Sequence, residues 1–164
     1  MTSPARAKIS LPDAAATEAL ARRLAPLLVP GDTILLSGEI GAGKSTLARA
    51  LIKSRLHEIN RDEDVPSPTF TLVQTYEVRG GEIWHCDLYR LNDPDEILDL
   101  GLEEAFDQTI CLIEWPDRLG PLTPPNALWV ELVSTPADTR NVTVSTSAPE
   151  NWGHVLPFLW EVTV

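Results

Sequence analysis

Cysteine and positive charge are both scarce in this chain, and each shortage narrows what the protein can be. Cys86 and Cys111 are the whole cysteine complement. Neither belongs to a CxxC pair, and His57, His85 and His154 are scattered, so no zinc-type ligand spacing exists. Both cysteines sit in apolar runs that read as strands, which predicts buried free thiols in a reducing compartment. Lys and Arg number 13 against 24 Asp and Glu, a formal net charge of −11, and Arg22-Arg23 is the only adjacent basic pair. Tight binding of bare nucleic acid needs a basic footprint to displace counterions, and none is visible. A basic protein partner is easier to reconcile with this charge than a polyanion. Long apolar runs are missing as well. None could cross a bilayer, and Met1 to Ser10 hold no apolar stretch of signal-peptide length. A cytoplasmic protein without a membrane segment is expected. Repeats and linkers are absent too, and the 164 residues suit one domain over residues 1–164.

What is present alternates between helix and strand patterns. Leu20, Leu24, Leu27 and Leu28 recur at helical spacing within Asp13 to Leu28, and Pro30-Gly31-Asp32 stops that helix. Thr33 to Ser37 reads as a buried strand, Gly38 to Gly43 as a glycine-rich turn, and Ser45 to Leu56 as a helix. Phe70 to Val78 and Glu82 to Leu88, joined at Gly80-Gly81, read as a hairpin. Asn92-Asp93-Pro94 starts a short helix over Asp95 to Leu100 that Gly101 stops, and Glu103 to Phe106 reads as a second. Thr109 to Ile113 is nearly all apolar, as a central strand covered on both faces should be. Ala127 to Val133 and Asn141 to Ser145 read as further strands, and Trp152 to Trp160 as a terminal helix interrupted by Pro157.

Gly38-Glu39-Ile40-Gly41-Ala42-Gly43-Lys44-Ser45 fits the phosphate-loop pattern G-x-x-x-x-G-K-[ST], with a strand before it and a helix after it. Glycines let the backbone curl so that successive N–H groups converge on phosphate oxygens. The helix that follows adds its positive end. Lys44 is placed for the β- and γ-phosphates, the Ser45 hydroxyl for magnesium, and Thr46 for the α-phosphate side. Such loops work with a second acid at the end of a neighbouring buried strand. Glu114 follows the most apolar strand, Ile110-Cys111-Leu112-Ile113, and Asp87 follows the mixed run Ile83-Trp84-His85-Cys86. Strand quality favours Glu114. Thr69 follows Pro68 on a stiff segment, where a hydroxyl could sense a γ-phosphate. His85 is a candidate general base but reads more readily as a residue that lies on a strand face or hydrogen-bonds locally. Arg90 reads as a surface ion-pair residue as readily as a partner or nucleotide contact, and Trp115 as core.

Taken in order, these blocks resemble a known family. Gly38 to Thr46 is followed by Ser67-Pro68-Thr69-Phe70-Thr71-Leu72-Val73, then His85-Cys86-Asp87-Leu88-Tyr89-Arg90-Leu91, then Ile113-Glu114-Trp115-Pro116. The set resembles the bacterial tRNA threonylcarbamoyladenosine-biosynthesis ATPases, the TsaE family, from about Leu11 to Val144. The resemblance implies an α/β P-loop NTPase fold with a mixed β-sheet and flanking helices. It implies a magnesium-dependent ATPase, weak without partners, that supports transfer of threonylcarbamoyl to an adenosine beside the tRNA anticodon. The chain would not perform the transfer. It would dock on the TsaB–TsaD transferase complex, and ATP turnover would reset that complex. Ser45 and Glu114 match the family's magnesium positions, Lys44 its phosphate lysine, and Thr17 an N-terminal threonine near the nucleotide. Gly41, Ala42, Gly43 and Thr46 complete the ATP contacts. Ser67 to Thr69 and Asp87 to Arg90 match two switch-like segments, which puts Thr69 and Asp87 with Lys44 and Glu114 in the catalytic set. Cys86 stands where an aromatic is common, and Ser45 replaces a frequent threonine. No motif follows Ser145.

A small-molecule kinase of the P-loop class is the competing reading. It needs an acceptor pocket and an arginine-bearing lid, whereas Arg118 and Arg140 are isolated in sequence. A GTPase switch lacks its N-K-x-D segment. The phosphate-loop reading predicts that Lys44→Ala loses ~1.5–3 kcal/mol of ATP affinity, the worth of a charge-assisted contact, with the fold intact. Calorimetry on a variant of unchanged circular dichroism measures this. Equal affinity in the two proteins would remove the assignment.

Overall fold

In the computed structural model, residues 5–159 are described. They build one seven-stranded sheet in the order β1-β7-β6-β2-β5-β4-β3. The strands are β1 (Ala5–Leu11), β2 (Thr33–Ser37), β3 (Val73–Val78), β4 (Gly81–Asp87), β5 (Ile110–Glu114), β6 (Leu128–Ser134) and β7 (Arg140–Thr146). The four middle strands, β4, β5, β2 and β6, run parallel. The hairpin partner β3 closes one edge antiparallel, and β7 with β1 closes the other. All five residues of β5 are buried. That is the cost in sequence of a parallel strand covered on both faces, and it explains the near-continuous apolar runs.

Alternation along the strands sorts side chains between the two layers. Ile34 and Leu36 of β2, Ile83 of β4, and Ile110 and Leu112 of β5 pack with α1 (Ala14–Leu24) and α2 (Lys44–His57). Leu35, Cys86, Cys111 and Ile113 face the other way, against α3 (Pro94–Asp99) and α4 (Leu102–Gln108). Asp13 caps α1 by accepting from the Ala16 amide at 2.8 Å. Its buried stripe is Thr17, Leu20, Ala21 and Leu24, and Pro26 follows in a 3-10 turn over Ala25–Leu27. Asp93 and Pro94 start α3 in the same way. Among the described residues, no helix is long and apolar enough to cross a membrane.

Three elements differ from the sequence pattern. β1 was not expected as a strand, yet Ala7, Ile9 and Leu11 are buried while Arg6, Lys8 and Ser10 are exposed. The strand expected from Phe70 begins only at Val73, because Leu72 takes a left-handed conformation (φ 69°) and Phe70 stands 82% exposed. The terminal helix expected over Trp152 to Trp160 is a 3-10 turn at Pro149–Trp152 and a short α5 (Leu156–Leu159). Trp160, like Met1 to Pro4, lies outside the described residues.

Both thiols are free and wholly buried. Burial raises each pKa, with the neighbouring Cys111 adding to the rise at Cys86, and Cys111 reaches about 11. Thiolate is the reactive form, so neither cysteine should react with an aromatic disulfide reagent at pH 8 while the chain is folded. Both should react promptly once it is unfolded in denaturant. Prompt reaction of one thiol in the native protein would contradict this packing.

Candidate active site

β2 ends at Ser37 in the middle of the sheet, with β5 on one side and β6 on the other. The loop leaving it must turn at once. Gly38 makes that turn at φ +143°, and a Cβ there would lie 2.4 Å from the Leu132 carbonyl oxygen of β6. No side chain fits. Ala42 N–H donates back to Glu39 O at 3.1 Å, and Gly43 (φ +109°) opens α2 with no side-chain cap. The first-turn amides of α2 are thus left for an outside acceptor, at the positive end of the helix.

Lys44, 4% exposed, folds over this loop. Its ammonium donates to the Gly38 carbonyl and lies 3.5 Å from the centroid of the Trp115 ring. Burial lowers its pKa, opposed by the carboxylates of Glu114, Asp87 and Asp117. Ser45 follows on α2, and its hydroxyl donates to Glu114 Oε1 at 2.9 Å. The other carboxylate oxygen lies 2.7 Å from His85 Nε2. An ionised Glu114 only accepts, so His85 Nε2 carries the proton and donates. His85 and Glu114 are both buried, and among the described residues His85 Nδ1 has no hydrogen-bond partner.

Asp87 pairs in register with Glu114 across β4 and β5. It nevertheless serves other groups. Its Oδ1 accepts from the Tyr89 amide at 3.0 Å and its Oδ2 from the Thr69 hydroxyl at 3.2 Å, with Ser67 Oγ 2.9 Å from Thr69 Oγ1. The segments 67–69 and 87–90 are therefore tied to each other through one carboxylate. Glu114, not Asp87, is the acid set against Ser45.

Gly41, Gly43, Lys44, Ser45, Thr46, Thr69, Asp87 and Glu114 line one open cavity of about 420 Å³. Ala42 is buried behind the loop. Thr17 is not brought to this cavity. It is buried on the inner stripe of α1, its hydroxyl 3.4 Å from the Asp13 carbonyl, while its neighbour Glu18 lines an adjoining cavity that shares Thr46 and Arg49. At three residues the structure goes beyond the sequence reading. His85 lies on a strand face, one of the positions expected for it, and there its Nε2 meets Glu114 of the neighbouring strand; the i, i+2 spacing to Asp87 was the signal that both share a face. Trp115 is not plain core. It is half-buried at φ 59°, a costly backbone state for a bulky residue, and this turn lays its ring beside Lys44 and Tyr89. Arg140, isolated in sequence, lines the same cavity.

A glycine turn that cannot carry a side chain, a lysine folded over it, and an acid from the adjacent parallel strand define a P-loop α/β protein. Within that class, the chain belongs to the TsaE family of tRNA threonylcarbamoyladenosine biosynthesis. The family model for the threonylcarbamoyl adenosine biosynthesis protein TsaE matches residues 11–142. The TsaE protein of Rickettsia felis is 39% identical over 135 residues, covering 82% of this chain and 77% of that one. The Bacillus subtilis TsaE protein is 34% identical over 128 residues, 77% of each chain. The crystal structure of Bacillus subtilis YdiB superposes with a TM-score of 0.75 over 99% of this chain and 97% of that one, at 24% identity.

The contrast between the two acids is testable. Glu114→Gln keeps the volume and removes the charge opposite Ser45. It should sharply reduce the magnesium dependence of nucleotide binding and hydrolysis while the protein still folds. Asp87→Asn should disturb metal dependence less. Magnesium titrations of the two variants measure this, and the opposite ranking would reverse the roles.

Proposed function

We propose that this protein binds ATP with magnesium at loop 38–45 and hydrolyses it in support of tRNA threonylcarbamoylation. It does so by acting on the TsaB–TsaD transferase complex in the cytoplasm rather than on tRNA itself. The observation that carries the reading is the Ser45 hydroxyl held 2.9 Å from the Glu114 carboxylate at the mouth of the loop. Magnesium takes hard oxygen donors, commonly one or two from protein and the rest from phosphates and water, and this pair supplies such donors. The loop supports a phosphate chain on independent grounds. Gly38 has no room for a Cβ, and α2 has no side-chain cap. Magnesium, when bound, would supply charge neutralisation at the phosphates.

The chain's own residues divide the remaining work. Backbone amides at the start of α2 and the Lys44 ammonium bind and orient the phosphates. Ser45 and Glu114 would hold the metal, and His85 fixes the Glu114 carboxylate through its second oxygen. Thr69 and Asp87 face the same cavity and are hydrogen-bonded to each other. A terminal phosphate competing for Thr69 would loosen that bond, so the order of 67–69 and 87–90 would follow the nucleotide. Phe70, directly after 67–69, and Tyr89, within 87–90, are exposed, where a partner can read the state of those segments.

Gel filtration of the chain with TsaB and TsaD tests this reading. Co-elution should be strong with a non-hydrolysable ATP analogue and weak with ADP or without nucleotide, and the complex should raise ATP turnover. Identical co-elution in all three conditions would remove the switch. Tight binding of tRNA alone at physiological salt would remove the charge argument.

A further inference from the structure

Arg140 opens β7, and its backbone sits in register with Leu11 of β1 and Ser134 of β6. Its side chain leaves the sheet and reaches the phosphate loop. Nε lies 3.2 Å, and Cδ 3.4 Å, from the point a Cβ on Gly43 would occupy. A side chain at position 43 would thus push the guanidinium away. Arg140 lines the same cavity as Lys44 and Ser45. Among the described residues its Nε, closed off from water, has no hydrogen-bond partner and its guanidinium makes no ion pair. This is notable in a chain with 24 acids. An unpartnered buried donor is costly, so its retention at the edge of a cavity points to an acceptor supplied by a ligand.

We propose that Arg140 is a phosphate-binding residue, gripping the diphosphate that ADP and ATP share. The inference rests on the nucleotide reading of loop 38–45. The topology separates two approaches to the loop. Glu114 and Asp87 come from β5 and β4, on one side of β2, and form the acid side. Arg140 comes from β7, beyond β6 on the other side, and meets the loop at Gly43, where α2 begins. A guanidinium there faces phosphate oxygens that the metal side leaves unoccupied. Its planar fork suits two oxygens of a phosphate chain better than an ammonium would. The alternative role is mechanical, with the aliphatic stem of Arg140 merely covering Gly43.

Arg140→Met keeps an apolar stem and removes the guanidinium, and Arg140→Lys keeps a charge without the fork. Calorimetric titration of the full chain with ADP and with a non-hydrolysable ATP analogue, both with magnesium, is read beside the melting temperature without nucleotide. Arg140→Met should lose roughly 10- to 100-fold in affinity for both nucleotides, Arg140→Lys less, and both should melt close to the wild type. Wild-type affinity in Arg140→Met would overturn the proposal and leave the nucleotide reading standing. A loss confined to the ATP analogue would overturn the assignment to the shared diphosphate. Failure of the wild-type protein to bind either nucleotide would overturn both.

Discussion

The close approach of Gly38 to the Leu132 carbonyl sets the geometry on which the rest of the site depends. β2 lies between two parallel neighbours, so its chain can leave only upward from the carboxyl edge of the sheet. The β6 backbone at 2.4 Å from a would-be Cβ closes one direction, and the loop folds over toward α2. That fold puts the start of α2 above β2 and β5, which places Ser45 over Glu114. It also turns the Lys44 ammonium back on the loop's own carbonyl. One steric constraint thus orders a cation, a hydroxyl and a run of amides around a single point.

The strands supply the opposing half by parity alone. His85 and Asp87 lie two residues apart on β4, and Glu114 ends β5 on the same side as Leu112 and Ile110. All three therefore face the α1–α2 layer, beneath Lys44 and Ser45, while Cys86 and Ile113 between them enter the opposite core. Burying two carboxylates and an imidazole is unfavourable unless each finds partners. Here Glu114 is held by Ser45 and His85, and Asp87 by Thr69 and the Tyr89 amide. These hydrogen bonds fix the acids in place, and rigid placement is what a metal or phosphate site requires. They also separate the tasks of two acids that the sequence leaves nearly equivalent.

Local chemistry explains which parts were legible. The glycine spacing of 38–45 and the apolar runs of β2 and β5 are set by short-range rules, and β2 spans the residues its pattern implied. Pairings that depend on distant chain were not legible. β1 alternates cleanly, but it becomes a strand by pairing with β7, well over a hundred residues away. Phe70 and Leu72 alternate too, yet the Leu72 carbonyl is drawn to the Asp87 amide at 2.9 Å and the strand starts late. Trp115 looked like core because aromatics usually are. Its left-handed backbone, which no pattern announces, carries it to the Lys44 ammonium instead. Arg140 was hidden for the same reason, since only the sheet order brings β7 to the loop.

A net charge of −11 and a proposed ligand made of phosphates present an apparent conflict, and distance resolves it. At physiological ionic strength the field of an exposed charge decays over about 8 Å, so acids scattered over the surface act weakly on the floor of a cavity. What a phosphate bound there would feel is the nearest shell: the α2 amides, Lys44 and Arg140, with Glu114 and Asp87 held to one side. A long polyanion is a different case. It contacts surface over tens of ångströms, where the excess of acids is met in full, and even the cavity that gathers Arg22, Arg49 and Lys53 holds Glu18 and Asp64 as well. On the proposed function, the same charge distribution would admit a nucleotide into a cavity, disfavour a nucleic acid on the exterior, and leave the acidic surface to a partner of opposite sign.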